Sequence, residues 1–250
     1  MQKQYRLARP AAHALLALCA AALIGPACAA PATLAPQYAA AIASSARSDD
    51  DRKADARRNP AAFLEFAKLA PGMKVLDVAA GGGATAALLA AAVGSGGTVW
   101  AQNAKPTPKL EQRLAAGAQP QLLALVAPYD NPVPAGAPAL DLVTINMSYH
   151  DIVNTTTDRA AMNRHLYAAL KPGGHVVIID NAAKDGSGLS ATKTLHRIDE
   201  AAVIAELRAA GFVLDAKGDY LRVPSDPREL PFFKMDGQPD DKFALRFVKR

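Results

Sequence analysis

Val75-Leu76-Asp77-Val78-Ala79-Ala80-Gly81-Gly82-Gly83 runs directly into Ala84-Thr85-Ala86-Ala87-Leu88-Leu89. The short apolar run reads as a buried strand, and the alanine- and leucine-rich stretch after it as a helix. Between them, three glycines remove side chains where the chain must turn tightly. The helix that begins there offers free backbone N–H groups and the positive end of its dipole, which favour anionic or polar ligand groups. A tight turn needs glycine with or without a ligand, so the motif acquires meaning only from its surroundings.

Those surroundings alternate apolar runs with helical segments. Strands are predicted over Lys74–Val78, Thr98–Gln102, Gln121–Val126, Leu140–Asn146 and His175–Asp180, with helices over Gly83–Val93, Pro108–Ala118, Asp158–Leu170 and Asp199–Ala210. This alternation specifies a parallel sheet covered by helices on both faces. The last helix carries an entry signal, with Asp199 as N-cap and Ile198 set to pack on Val203. One connection differs: Ala127 to Ala139 holds four prolines and is predicted to be a loop. Leu170-Lys171-Pro172-Gly173-Gly174 reads as a turn like Pro71-Gly72. At the C-terminus, Phe212–Arg222 and Lys242–Lys249 are predicted to pair as an antiparallel edge around a Pro- and Asp-rich insert. If the first of them runs parallel to the central strands, the insert emerges at their carboxyl ends, where open α/β sheets bind ligands. The expected fold is therefore α/β: a Rossmann-like, open, mostly parallel sheet with helices on both faces and an antiparallel C-terminal edge.

Residues 30–70 read as a helical extension ahead of the α/β domain at 71–250. Ser48-Asp49-Asp50-Asp51 is a helix start, since carboxylates suit the N-terminal end of the dipole. Asn59-Pro60 opens another short helix. Residues 1–29 have the pattern of a secretory signal: Lys3, Arg6 and Arg9 are basic, Ala11 to Ile24 is apolar, and Pro26-Ala27-Cys28-Ala29 supplies small residues for cleavage before Ala30. The apolar run is shorter than the roughly 20 residues of a membrane-spanning helix. A periplasmic or secreted protein, with no stable membrane insertion once cleaved, is the expectation.

Composition then excludes several classes. Both cysteines, Cys19 and Cys28, lie in the signal, so residues 30–250 hold no disulfide, thiolate metal site or cysteine nucleophile. Of the chain's 28 Lys and Arg residues three lie in the signal, leaving 25 against 23 Asp and Glu, a net charge of +2. No basic stripe with interleaved aromatics occurs, and no nucleic-acid partner is expected. No His, Asp or Glu cluster has metal-ligand spacing along the sequence, so no metal is expected.

Taken with the Leu140-Asp141-Leu142-Val143-Thr144-Ile145-Asn146 strand and Leu170-Lys171-Pro172-Gly173-Gly174, the glycine stretch resembles a class I methyltransferase that uses S-adenosylmethionine (SAM), over about Pro71 to Arg250. With the signal peptide, Val99-Trp100-Ala101-Gln102-Asn103, Ser148-Tyr149-His150-Asp151 and Leu195-His196-Arg197-Ile198-Asp199, it is similar to a group of predicted exported bacterial methyltransferases. The resemblance implies that Asp77 helps position the donor and that the backbone at Ala79, Gly81 and Gly83 lines its amino-acid part, with Ala79 in place of a first glycine. At the end of the second strand the class carries an acid for the ribose hydroxyls; here Gln102 and Asn103 stand there, and an amide can accept from one hydroxyl and donate to the other. Asp130 matches a position facing the adenine amino group, or else initiates the turn into Asn131-Pro132.

The segment from Asn146 to Asp151 follows the fourth strand and reaches the carboxyl edge of the sheet, with Asn146 at the cofactor. His150 has the ordinary pKa range of a general base, and Asp151 is placed to orient it or to act itself. The expected reaction is methyl transfer from SAM to a small molecule. Two alternatives remain open at this point: a non-catalytic SAM- or nucleoside-binding protein on the same fold, and a nicotinamide-dependent oxidoreductase, whose G-x-G-x-x-G pattern is not met.

Overall fold

The computed structural model describes residues 1–2, 35–137 and 139–250, and the signal sequence falls outside these apart from its first two residues. The described residues from 35 onward form one compact unit. Its N-terminal part is helical: α1 (Pro36–Ala43), α2 (Asp49–Lys53), α3 (Asp55–Arg58) and α4 (Pro60–Phe66). Ser48 caps α2 with a complete capping box, its hydroxyl accepting the Asp51 amide while the Asp51 carboxylate accepts the Ser48 amide. Asn59, in the left-handed region, caps α4 from just ahead of Pro60.

The sheet follows, with β1 (Lys74–Val78), α5 (Ala84–Val93), β2 (Thr98–Asn103), α6 (Pro108–Ala115), β3 (Leu122–Val126) and β4 (Leu140–Asn146). Then come α7 (Tyr149–Val153), α8 (Arg159–Ala169), β5 (Leu170–Asn181), α9 (Thr192–Leu195), α10 (Glu200–Ala209), β6 (Val213–Gly218), a 3-10 turn at Phe232–Lys234, and β7 (Lys242–Val248). The strand order is β3-β2-β1-β4-β5-β7-β6. Strands β1 to β5 run parallel, and β7 is antiparallel to both β5 and β6. The antiparallel edge is thus the β7/β6 pair, and β6 runs parallel to the central strands. The insert between them consequently leaves at the carboxyl edge.

One expected turn is absorbed into a strand. Leu140 pairs with Leu170 and Leu142 with His175, so the surplus residues around Pro172-Gly173-Gly174 bulge while the ladder continues on either side. Gly173 donates to Lys249 O (2.7 Å) and Lys249 donates to Gly174 O (3.0 Å), which keeps the bulge attached to the last strand.

Each face of the sheet is buried under helices. One apolar cluster joins α1, α4 and α5 to the strands, through Leu64, Leu69, Val75, Leu89 and Val99. The other joins α7, α8 and α10, through Tyr149, Ile152, Leu166, Val203 and Leu207, with Ile198 and Val203 in the same cluster as the capping pattern predicts. Asp199 accepts from the Ala201 amide at 2.9 Å. Among the described residues no helix is long and apolar enough to cross a membrane. The strand order reverses between β1 and β4, which is where an open α/β sheet leaves a crevice at its carboxyl edge.

Candidate active site

The crevice is occupied by a cavity of about 490 Å3. Its floor is Ala79, Ala80, Gly81 and Gly82 after β1, together with Asn146, Met147 and Ser148 after β4. One wall is His150, Asp151, Asn181 and His196; the N-terminal helices contribute Arg58 and Phe63; and the late insert contributes Phe232 and Asp240. Size and shape are those of a small-molecule site.

The glycine turn is left-handed at three alternate positions, Ala79 (φ 54), Gly81 (φ 55) and Gly83 (φ 77). An alanine in that region costs about 1–2 kcal/mol, and the structure holds it there by hydrogen bonds. Gln102 Oε1 accepts from the Ala79 amide (3.1 Å) and Gln102 Nε2 donates to Ala127 O (2.6 Å). Asn103 Oδ1 accepts from the Gly81 amide (2.8 Å) and its Nδ2 donates to Gly81 O (3.1 Å). Both amides at the end of β2 are therefore spent on backbone, and neither lines the cavity, which corrects the expectation that they grip ribose hydroxyls.

The remaining donor residues divide in the same way. Ala79, Gly81 and Asn146 line the cavity. Gly83 begins α5 and packs under Leu110, whose Cδ1 would lie 2.7 Å from an added Cβ. Asp77 is buried beneath the turn, where Oδ1 accepts from Thr144 Oγ1 (2.6 Å) and Oδ2 has no partner. Burial pushes the Asp77 carboxyl up to about 7 against the pull of Thr144 and Arg58. Asp130 lies outside the cavity: it is exposed, and its carboxylate accepts the amide of Asp158 (3.2 Å) at the start of α8. The carboxylate of Asp130 thus ties the loop after β3 to the start of α8.

The floor nevertheless suits the methionyl part of SAM. A Cβ added at Gly81 would meet no protein atom within 4 Å, so backbone at the floor is open to close approach. The roof is tied to this floor: Arg113 donates to Gly82 O (3.1 Å) and to both Asp51 oxygens (2.8 and 3.0 Å). Burial works against the Asp51 charge, but Arg113 and Ser48 hold its carboxyl below the usual range.

The two expected catalytic residues lie on the cavity wall, in a chain with two further groups. Asp180, at the end of β5, is fully buried and accepts from the His150 amide (2.9 Å), pairs with His150 Nδ1 (2.6 Å), and accepts from the Asn181 amide (2.8 Å). His150 Nε2 lies 3.2 Å from Asp151 Oδ1, and that oxygen lies 3.4 Å from His196 Nδ1. Burial disfavours an imidazolium here, yet hydrogen bonds and charge from Asp151 and Asp180 raise the His150 pKa to about 10. A ring held protonated between two carboxylates donates to both of them. His150, Asp151 and His196, which have no metal-ligand spacing along the sequence, offer ligand atoms within 4.8 Å of one another. Distant segments assemble this group, so no spacing rule finds it. Asp180 was legible only as a strand-end acid, and the clue to its role is that β4 and β5 are neighbours.

Arg197 takes no part in the site chemistry. It is buried against Asp226 (2.9 Å) and holds the insert that bears Phe232. The Phe232–Phe233 pair is not sunk in the core, and Phe233 instead stacks edge-on against His196 with centroids 5.5 Å apart.

A reversed strand order with a glycine turn at the switch point, a ligand-sized cavity over it and an antiparallel last strand defines the class I methyltransferase fold. The description of the ubiE/COQ5 methyltransferase family matches residues 61–197, and the chain belongs to that SAM-dependent family of enzymes. A SAM-dependent methyltransferase from Aquifex aeolicus superposes with a TM-score of 0.59 at 17% identity, covering 80% of this chain and 97% of that one. One from Mesorhizobium loti gives 0.56 at 15% identity, over 75% and 95%. Aeropyrum pernix fibrillarin with natively bound SAM gives 0.50 at 13% identity, over 72% and 68%. At these identities the likeness is one of fold. No curated protein matches the chain.

Proposed function

We propose that the chain methylates a small molecule held between the Ala79–Gly82 floor and the His150–His196 wall, and that it does so after export. The observation that carries this reading is the continuity of the cavity from the glycine turn to that wall within about 490 Å3, a volume typical of small-molecule sites. SAM supplies an electrophilic methyl group on a sulfonium. The backbone from Ala79 to Gly82 and the segment Asn146–Ser148 hold the donor. Asp180 fixes His150, and His150 holds Asp151 towards the acceptor, so this carboxylate would take the proton that an acceptor hydroxyl gives up as its oxygen gains the methyl group and the sulfonium leaves as the neutral thioether. Phe63, Phe232 and the insert exclude water from the transfer, which depends mainly on alignment.

Label from methyl-tritiated SAM is expected in the low-molecular-mass fraction of a periplasmic extract treated with the protein. Gly81→Leu, whose side chain stands where the donor approaches, is expected to reduce transfer by more than about 100-fold. Label in protein or nucleic acid, or transfer undiminished in that variant, would overturn the reading. For export, supported by the basic-apolar-small pattern of residues 1–29, N-terminal sequencing of the exported protein should begin at Ala30. A chain retained in the cytoplasm with Met1 intact refutes that part.

A further inference from the structure

We propose that His150, Asp151 and His196 form a binding site for one borderline divalent cation of the zinc type on the wall of the cavity. The three side chains come from α7 and from the residue after α9, and their ligand atoms lie within 4.8 Å of one another. The support behind them is what a metal-binding histidine requires. The fully buried Asp180 pairs with Nδ1 of His150 (2.6 Å) and also accepts its backbone amide (2.9 Å), so the ring is fixed with Nε2 turned towards Asp151. A carboxylate on the far nitrogen of a ligating imidazole sets the tautomer and strengthens the ligand. Cation binding exchanges the Nε2 proton for the metal.

His196 is held as deliberately. It sits in the left-handed region (φ 51), a conformation that a non-glycine residue keeps only when its surroundings enforce it. Asn181 Nδ2 donates to His196 O (2.9 Å), and Phe233 packs against the ring. Asn181, itself 1% exposed and lining the same cavity, has an Oδ1 with no hydrogen-bond partner. Two imidazoles and one carboxylate suit borderline cations better than magnesium or calcium, which prefer all-oxygen shells. Three protein ligands leave coordination positions open towards the cavity, as in catalytic rather than structural sites. The occupant of those positions is an oxygen of the acceptor, a hydroxyl or carboxylate; this last clause rests on the methyl-transfer reading, and the cation site does not.

The test uses the untagged protein stripped with chelator. Zn2+ titrated calorimetrically is expected to bind one to one, and Co2+ in its place to give visible ligand-field absorption. Asp180→Asn is expected to weaken binding by about 10-fold. His196→Asn tolerates the left-handed backbone, and Asp151→Asn keeps the side-chain volume; each is expected to weaken binding by more than about 100-fold, beyond what loss of a supporting residue does. No heat and no cobalt spectrum, or binding that survives both ligand variants in protein with an unchanged melting temperature, overturns the proposal. SAM titrated into the same preparations separates the two readings: SAM heat without metal binding removes only the cation site, and metal binding without SAM heat removes only the donor.

Discussion

Replacing Arg197 by alanine is expected to lower the unfolding free energy by about 3–5 kcal/mol, the usual cost of stranding one partner of a buried ion pair. The guanidinium is completely buried and satisfied: it pairs with Asp226 (2.9 Å) and donates to Leu230 O (2.8 Å) and Ala182 O (3.0 Å). Burial opposes charge on Asp226, yet the amides of Asp241 and Arg228 together with Arg197 hold its carboxyl below the usual range. Alanine would therefore leave an anion without its counter-charge, and two carbonyls without a donor. The loss is also local in effect, because these bonds fasten the insert carrying Phe232 and Asp240 to the end of β5. Urea unfolding measures the energy, and limited proteolysis should cut the variant first within residues 223–241. A change under about 1 kcal/mol, well below the range for buried pairs, would mean that the insert is held by something else. Arg197→Met with Asp226→Leu should recover much of the loss, since an apolar pair of similar volume carries no desolvation penalty.

The second large effect concerns Asp77. Its carboxyl is raised from 3.8 to about 7 by burial, with one oxygen bonded to Thr144 and the other unpartnered. In the unfolded chain the group loses its proton near its ordinary value, whereas the folded protein keeps it until about 7. The folded state thus binds the extra proton between these limits, and stability falls as pH rises from about 4 through 7. At about 1.4 kcal/mol per pKa unit, the total is on the order of 4 kcal/mol. Asp77→Asn keeps the acceptor for Thr144 and removes the charge, so the variant should unfold later than the native protein at pH 8 and show a flatter pH dependence between 4 and 8. Denaturation midpoints at pH 5 and pH 8 settle this, and parallel slopes for the two proteins would show that Asp77 is not the titrating group. The native protein then keeps a costly carboxylate directly beneath the donor floor, and the same variant is expected to bind SAM more weakly.

The Gln102 amide makes two opposite bonds, accepting from the Ala79 amide and donating to Ala127 O, so Gln102→Asp is expected to loosen the turn. Aspartate is shorter and cannot donate. The amides at positions 102 and 103 act as clamps on a turn whose first position is an alanine in a left-handed conformation.

Local sequence determined the elements. The strands Lys74–Val78 and Leu140–Asn146 end where their apolar runs end, α10 starts at its Asp199 cap, and α2 starts at Ser48, because period, capping and glycine act within a few residues. The parallel core and the carboxyl-edge site after β1 followed from the alternation of those elements. Only the tertiary structure could place β7 between β5 and β6, retain Pro172-Gly173-Gly174 as a bulge within β5, and spend Gln102 and Asn103 on backbone. Only the fold, likewise, could bring His196 to His150 and Asp151 in front of the buried Asp180. Each of these depends on which distant groups compete for the same hydrogen bonds and the same buried space, and that competition is decided once the strands have packed side by side.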